Sequence, residues 1–197
     1  MAFKYWQIPK DTPCLVFLSR LHPKKGIEFL LNAVAHCKIN EVRLIIAGDG
    51  SLSYINELKT LCIELGVENQ CRFIGFVDGQ KKNILLQRAD LFCLTSYSEN
   101  FGISVLEAMA NGTAPLISNQ VALAAPINQH NLGVVCELNQ SDINSKLNLA
   151  LENLTKTRAL GGNARRFVTK HYQWTDIAQS LSSLYKQISR DRNSLDR

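Results

Sequence analysis

The sequence predicts an α/β domain built on one doubly wound parallel sheet, and three observations carry that prediction. Short apolar runs alternate along the chain with longer stretches whose apolar residues recur at helical spacing. Such alternation implies parallel strands joined by helices that cover both faces of the sheet. Charged and turn-forming residues then follow directly on the ends of the apolar runs, where parallel sheets of this kind place their ligands.

Taken in order, Cys14–Ser19 is apolar and ends at Arg20, which makes it the first strand. Pro23 and Gly26 punctuate the loop that follows. Ile27, Leu30, Leu31 and Val34 then mark one helical face. Val42–Ala47 is a second buried strand, closed by Gly48-Asp49-Gly50. Ile55, Leu58, Cys62 and Leu65 mark the next helix, which Gly66 stops. Arg72–Ile74 is a short strand and Lys81–Arg88 a short helix, and Asp90–Thr95 is the next buried strand. Ile103, Leu106, Met109 and Ala110 place a helix after it, and Ala114–Ser118 and Gly133–Cys136 are two further strands. From Ser141 the chain reads as helical, broken near Gly161-Gly162 and around Tyr172, with 190–197 a polar tail. No repeat, low-complexity stretch or linker divides the 197 residues, so they form one domain.

The topology brings Arg20, Lys25, Gly48, Gly50, Glu99 and Gly102 to one rim of the sheet, because each follows a strand end. The stretch from Ser96 to Gly112 is the most informative. It sets Glu99 and Glu107 eight positions apart, with the turn Asn100-Phe101-Gly102 between them and Glu107 about one turn into a helix. Two carboxylates around one loop accept hydrogen bonds from several hydroxyls. Gly102 lets backbone come close to a ligand, and the N–H groups that open the helix suit an anion. The constellation fits a polyhydroxylated, phosphorylated ligand. Arg20 and Lys25 stand near a helix start, where the dipole disfavours cations, so an anionic ligand explains them better than solvation does. Taken alone, Glu107 reads better as a helix-surface carboxylate, Phe101 as a packing residue and His22 as a solvated loop histidine, and a tight turn explains Gly48-Asp49-Gly50 equally well.

Composition narrows the class. Hydrophobic content of 46% and charged content of 20% are ordinary for a water-soluble fold, and no apolar run reaches membrane-spanning length. The formal charge of +5 favours anionic ligands mildly, and no basic run interleaved with aromatics points to nucleic acid. Six cysteines lie scattered, with no Cys-x-x-Cys pair and no histidine at zinc-ligand spacing. They read as buried, reduced thiols in a cytoplasmic protein.

The Ser96–Gly112 segment resembles the Glu-x7-Glu motif of retaining glycosyltransferases with the GT-B fold, particularly glycosyltransferase family 4. Four further segments resemble that family in the same order: Phe17–Gly26, with its Arg20-Leu21 and Lys25-Gly26; Leu44–Gly50; Phe73–Val77; and Ala89–Phe92. The resemblance implies a single Rossmann-like domain over residues 1–197, the C-terminal, donor-binding half of a GT-B fold, with the N-terminal acceptor domain absent.

By that resemblance the chain binds a UDP- or GDP-sugar for transfer of a hexosyl group to a glycan or lipid-linked acceptor, as in polysaccharide biosynthesis, with no metal and no separate cofactor. Arg20 and Lys25 would hold the diphosphate, and Glu99 the donor sugar at the reacting carbon. Glu107 would hold the ribose. Asn100, Phe101 and Gly102 would act mainly through backbone N–H groups. Gly48 and Gly50 would belong to the donor site, and Phe76 and Val77 would line the base pocket. One departure stands out: the family's Gly-Gly-x-x-Glu segment is replaced here by Ser118–Pro126. Two other readings stay open, a non-catalytic regulatory or interaction module that keeps the fold, and a fragment of a GT-B sugar-nucleotide epimerase. Trp174, Ile177, Leu181, Leu184, Tyr185 and Ile188 make one apolar stripe, which by the resemblance implies an acceptor-domain partner or self-association through the last helix, the alternative being that this helix folds back on its own domain; peripheral membrane contact also stays open.

Overall fold

The computed structural model describes residues 6, 8, 9, 11–39 and 41–195, with backbone alone from 189 onward. Six strands form the sheet: β1 (Cys14–Leu18), β2 (Arg43–Ala47), β3 (Cys71–Gly75), β4 (Leu91–Leu94), β5 (Ala114–Ser118) and β6 (Val134–Cys136). Their spatial order is β3-β2-β1-β4-β5-β6, and every pairing is parallel. The helices are α1 (Ile27–Ala35), α2 (Leu52–Glu64), α3 (Gly79–Arg88), α4 (Ile103–Ala110), α5 (Ala124–Gln129), α6 (Gln140–Glu152), α7 (Leu154–His171) and α8 (Trp174–Leu195).

Helices α1, α2 and α6 pack together on one face of the sheet, and α3, α4 and α7 on the other. Burial on both faces accounts for the unbroken apolar strands: Cys14, Leu15, Val16 and Phe17 of β1 and all four residues of β4 are fully buried. The chain starts at the middle strand, winds outward through β2 and β3, and returns beside β1 as β4. The β1/β4 junction is therefore the topological switch point, where a crevice opens beyond the carboxyl ends of the strands. At the opposite end of the same junction, the buried Asp90 accepts from Cys14 N at 2.8 Å and pairs with Arg88 and Arg158, fixing β4 against β1 and α7.

Two sequence expectations are corrected. No break occurs at Gly161-Gly162: α7 runs through both, and the interruption falls at Asn153. A Cβ on Gly161 would sit 2.1 Å from the Gly112 carbonyl oxygen and 2.9 Å from Ala114 N. The glycine serves close approach of α7 to the start of β5 and does not end the helix. The second correction concerns the face that α4 presents. Val105, Ala108 and Met109 are buried, whereas Ile103 and Ala110 are exposed. Sequence reading also missed α5, whose Pro126 stands in the first turn, where a missing N–H costs nothing. Residues 196 and 197 of the expected tail lie outside the described residues; the backbone from 190 to 195 continues α8.

Candidate functional site

The site is built at the switch point by the loops after β1, β2, β3 and β4. After β1, His22 opens a 3-10 turn (Pro23–Lys25), its Nδ1 accepting from Lys24 N at 3.1 Å. This loop is tied to the end of β4 twice. Thr95 Oγ1 donates to the Gly26 carbonyl at 2.7 Å, and Tyr97 N donates to the Lys24 carbonyl at 2.9 Å. These bonds carry Lys25 to the Glu99 loop. The Lys25 ammonium and Glu99 Oε2 form an ion pair, with side chains only 13% and 21% exposed.

Glu99 is held from its other side as well. Its N–H donates to the Gln120 carbonyl at 3.2 Å, and its own carbonyl accepts from Ala122 N at 3.0 Å. The Ser118–Pro126 segment, noted as a departure from the family pattern, therefore serves here as the backbone support of Glu99. Arg20, His22, Lys24, Lys25, Ser98, Glu99 and Asn100 together line a polar pocket of about 360 Å³. With three cationic side chains, Arg20, Lys24 and Lys25, to one carboxylate, this pocket favours an anion.

A second cavity, of about 250 Å³, adjoins it and is walled by Leu18, Ser19, Arg20, Ala47, Gly48, Asp49, Phe76 and Val77. Its wall is mostly apolar, and the Phe76 side chain on it is exposed. Gly48 has φ +138, and a Cβ there would lie 1.9 Å from the Ser19 carbonyl oxygen. Only glycine lets the end of β2 press so closely on the β1 loop. Gly50 likewise bridges to Leu21, at the back of the same loop.

Of the residues singled out in the sequence, Arg20, Lys25, Glu99 and Asn100 share the polar pocket, and Arg20, Gly48 and Val77 share the apolar cavity. Gly102 is buried directly before α4, and Phe101 is half-exposed, its ring 6.2 Å from that of Tyr172. Glu107 lies apart from both groups. It projects from α4 and pairs through Oε1 with Lys82 of α3 at 2.6 Å. Lys82, Asp49 and Ser98 were not picked out in the sequence. Asp49 and Ser98 lie at strand-end loops, where the ligand rule would have found them, but no spacing rule links Lys82 to Glu107 across two elements. Among the described residues no three His, Cys, Asp or Glu side chains gather as a metal site. No helix among them is long and apolar enough to cross a membrane.

The sheet order, the rim and the helices around them have the architecture of a GT-B glycosyltransferase domain. The sequence profile of glycosyl transferases group 1 matches residues 2–167, and the chain belongs to that family. It is 32% identical over 181 residues to the uncharacterized glycosyltransferase MJ1607 of Methanocaldococcus jannaschii, covering 91% of this chain and 46% of that protein. Anabaena HepE, solved in complex with UDP-glucose, superposes with a TM-score of 0.85 at 25% identity, covering 94% of this chain and 52% of that one. The solved C-terminal domain of LpcC, a glycosyl transferase group 1 family protein of Francisella tularensis, superposes with a TM-score of 0.75 at 23% identity. That match covers 88% of this chain and 94% of that domain. The chain thus spans about half the length of its longer relatives and nearly all of one isolated domain.

Proposed function

We propose that this chain is the donor-binding half of a retaining glycosyltransferase, taking a nucleoside-diphosphate sugar and serving transfer of its hexosyl group to a glycan or lipid-linked acceptor. The observation that carries the reading is the place of Arg20. It walls both the apolar cavity and the polar pocket, so the two compartments meet at a guanidinium. A nucleoside-diphosphate sugar has that layout, with a flat base at one end, hydroxyls at the other and a dianionic link between. The complex of HepE with UDP-glucose supports this class of ligand.

In this reading Arg20 and Lys25 stabilise the charge that grows on the departing diphosphate as the glycosidic bond breaks. Glu99 accepts hydrogen bonds from the sugar hydroxyls and stabilises positive character at the ring carbon. The Phe101-Gly102 backbone completes the sugar side, and Glu107 takes the ribose diol. The base lies against Phe76 and Val77. An acceptor-domain partner or a second copy of this chain covers the exposed stripe of α8, which includes Trp174, Leu181, Leu184 and Tyr185.

Titration calorimetry of the chain with UDP, GDP, UDP-glucose and GDP-mannose tests the reading. Binding to at least one of them is expected, and Arg20→Ala should lower its affinity by about tenfold or more, because charge-assisted hydrogen bonds are lost. Absence of binding to all four at millimolar concentration contradicts it.

A further inference from the structure

Glu107 is the one residue singled out for the ligand that the structure ties to a cation outside both compartments. Its Oε1 accepts from Lys82 Nζ at 2.6 Å, with the two side chains 34% and 24% exposed. Among the described residues its second oxygen, Oε2, carries no hydrogen bond. Lys82 stands in the first turns of α3, just beyond the Phe76-Val77 loop that walls the apolar cavity. Glu107 stands on α4, just beyond the Glu99 loop. The ion pair therefore bridges the element after the base-side loop and the element after the sugar-side loop.

We propose that Lys82 is a positioning residue for nucleoside recognition: by engaging Oε1 it fixes the Glu107 carboxylate so that Oε2 is presented to the ribose diol of a nucleoside diphosphate. The inference rests on the donor-site reading above. Two physical arguments support it. A glutamate on an open helix face samples several rotamers, and a partner on a neighbouring helix selects one, which lowers the entropy lost when a hydroxyl is bound. A bare carboxylate beside a diphosphate would also repel it. Lys82 cancels that charge at Glu107 as Lys25 does at Glu99, so both carboxylates can contact hydroxyls without opposing the anion. Lys82 itself touches no ligand in this scheme.

Positioning is separated from plain charge attraction by comparing nucleotides with and without the 2′-hydroxyl. Calorimetry is run with UDP, GDP and their 2′-deoxy counterparts on wild type, Lys82→Met, Lys82→Arg, Glu107→Ala and the Lys82→Met/Glu107→Ala double variant. Melting curves check that each variant is folded. Wild type should prefer the ribonucleotide by about tenfold, the value of one well-made hydrogen bond to a carboxylate. Lys82→Met should lose most of that preference, Lys82→Arg should restore it, and the double variant should prefer the ribonucleotide no more than Glu107→Ala does. Equal weakening of ribo and deoxy forms in Lys82→Met, with the preference kept, overturns the positioning role and shows Lys82 as a simple charge contact. Preference kept in Glu107→Ala places the ribose contact elsewhere and overturns this inference while the donor-site reading stands; no binding by wild type removes that reading and the inference with it.

Discussion

Lys25 and Glu99, 74 residues apart in the chain, meet as a largely buried ion pair across the switch point of the sheet. The pair joins the residue proposed to hold diphosphate to the residue proposed to hold sugar, so the two ligand parts are coupled through it. Removing the charge of Glu99 frees Lys25 for phosphate and weakens the hold on hydroxyls. Glu99→Gln should therefore bind the bare nucleoside diphosphate as well as or better than wild type, yet bind its sugar conjugate less well. The ratio of the two affinities should move by about tenfold, the worth of one charge-assisted bond. Parallel calorimetric titrations with UDP and UDP-glucose, or the GDP pair, check this, and equal loss for both ligands would show that the pair does not couple them.

Gly161 and Gly162 should respond to alanine with opposite signs. A methyl at Gly161 meets the Gly112 carbonyl and Ala114 N, so α7 must move off β5, at a cost of about 1–3 kcal/mol. At Gly162 the nearest atom to a new Cβ is the far end of Arg166, 3.9 Å away. There the gain in helix propensity should stabilise by about 0.5–1 kcal/mol. Urea midpoints measure both, and a stabilised Gly161→Ala would contradict the close-approach account.

Cys14 on the inner strand β1 and Cys136 on the edge strand β6 are both buried, and burial pushes each thiol up to about 12. Burial raises Cys93, between them in space, in the same direction. An unfolded thiol ionises at about 8.5, so unfolding releases protons as the pH passes that value. The contribution of the buried neutral thiols is complete below about 8.5 and is lost progressively as the pH rises toward 12. Urea stability should fall steadily from about pH 9 to pH 10 and above. A Cys14→Ala/Cys136→Ala variant, less stable at neutral pH, should show a shallower fall. Equal slopes would contradict the assignment.

The apolar stripe of α8 gives a prediction for assembly. Trp174 is 83% exposed and Leu184 51%, and no residue of the helix with a described side chain is buried. A patch of this kind is unusual on a lone chain. Sedimentation at high micromolar concentration should show self-association of wild type, and Leu184→Glu should abolish it. A wild type that stays monomeric removes the case for a second copy on this face and leaves the acceptor-domain partner.

The sheet was legible because both faces of every inner strand are covered. Runs such as Leu91–Leu94 and Ala114–Ser118 are apolar inside, too short for a buried helix and flanked by turn residues, which marks them as strands. The rim was legible for the same reason, since strand ends fix where Arg20, Lys25 and Glu99 emerge. What escaped was decided by packing between distant segments. Gly161 looked like a helix breaker because its reason, the Gly112 carbonyl, lies 49 positions away (161 against 112) and on another element. Lys82 gave no signal, since its partner is reached only after α3, β4 and the Glu99 loop are folded. The residues that marked α4 in the sequence, Ile103, Leu106, Met109 and Ala110, fall on different sides of it: Met109 is buried with Val105 and Ala108, while Ile103 and Ala110 are exposed, because only the sheet decides which side faces inward.

Amide chemical-shift mapping of the chain titrated with UDP and with GDP tests the central claim most directly. The claim is that the β1/β4 rim holds a nucleoside diphosphate between the cavity of Phe76 and the pocket of Lys25. The amides of Lys25, Gly48, Val77 and Gly102 should shift together and saturate with one of the two nucleotides. No shift with either at millimolar concentration would contradict the claim. So would shifts confined to Asn69–Arg72, beside the separate cavity of about 300 Å³ at the opposite end of the strands.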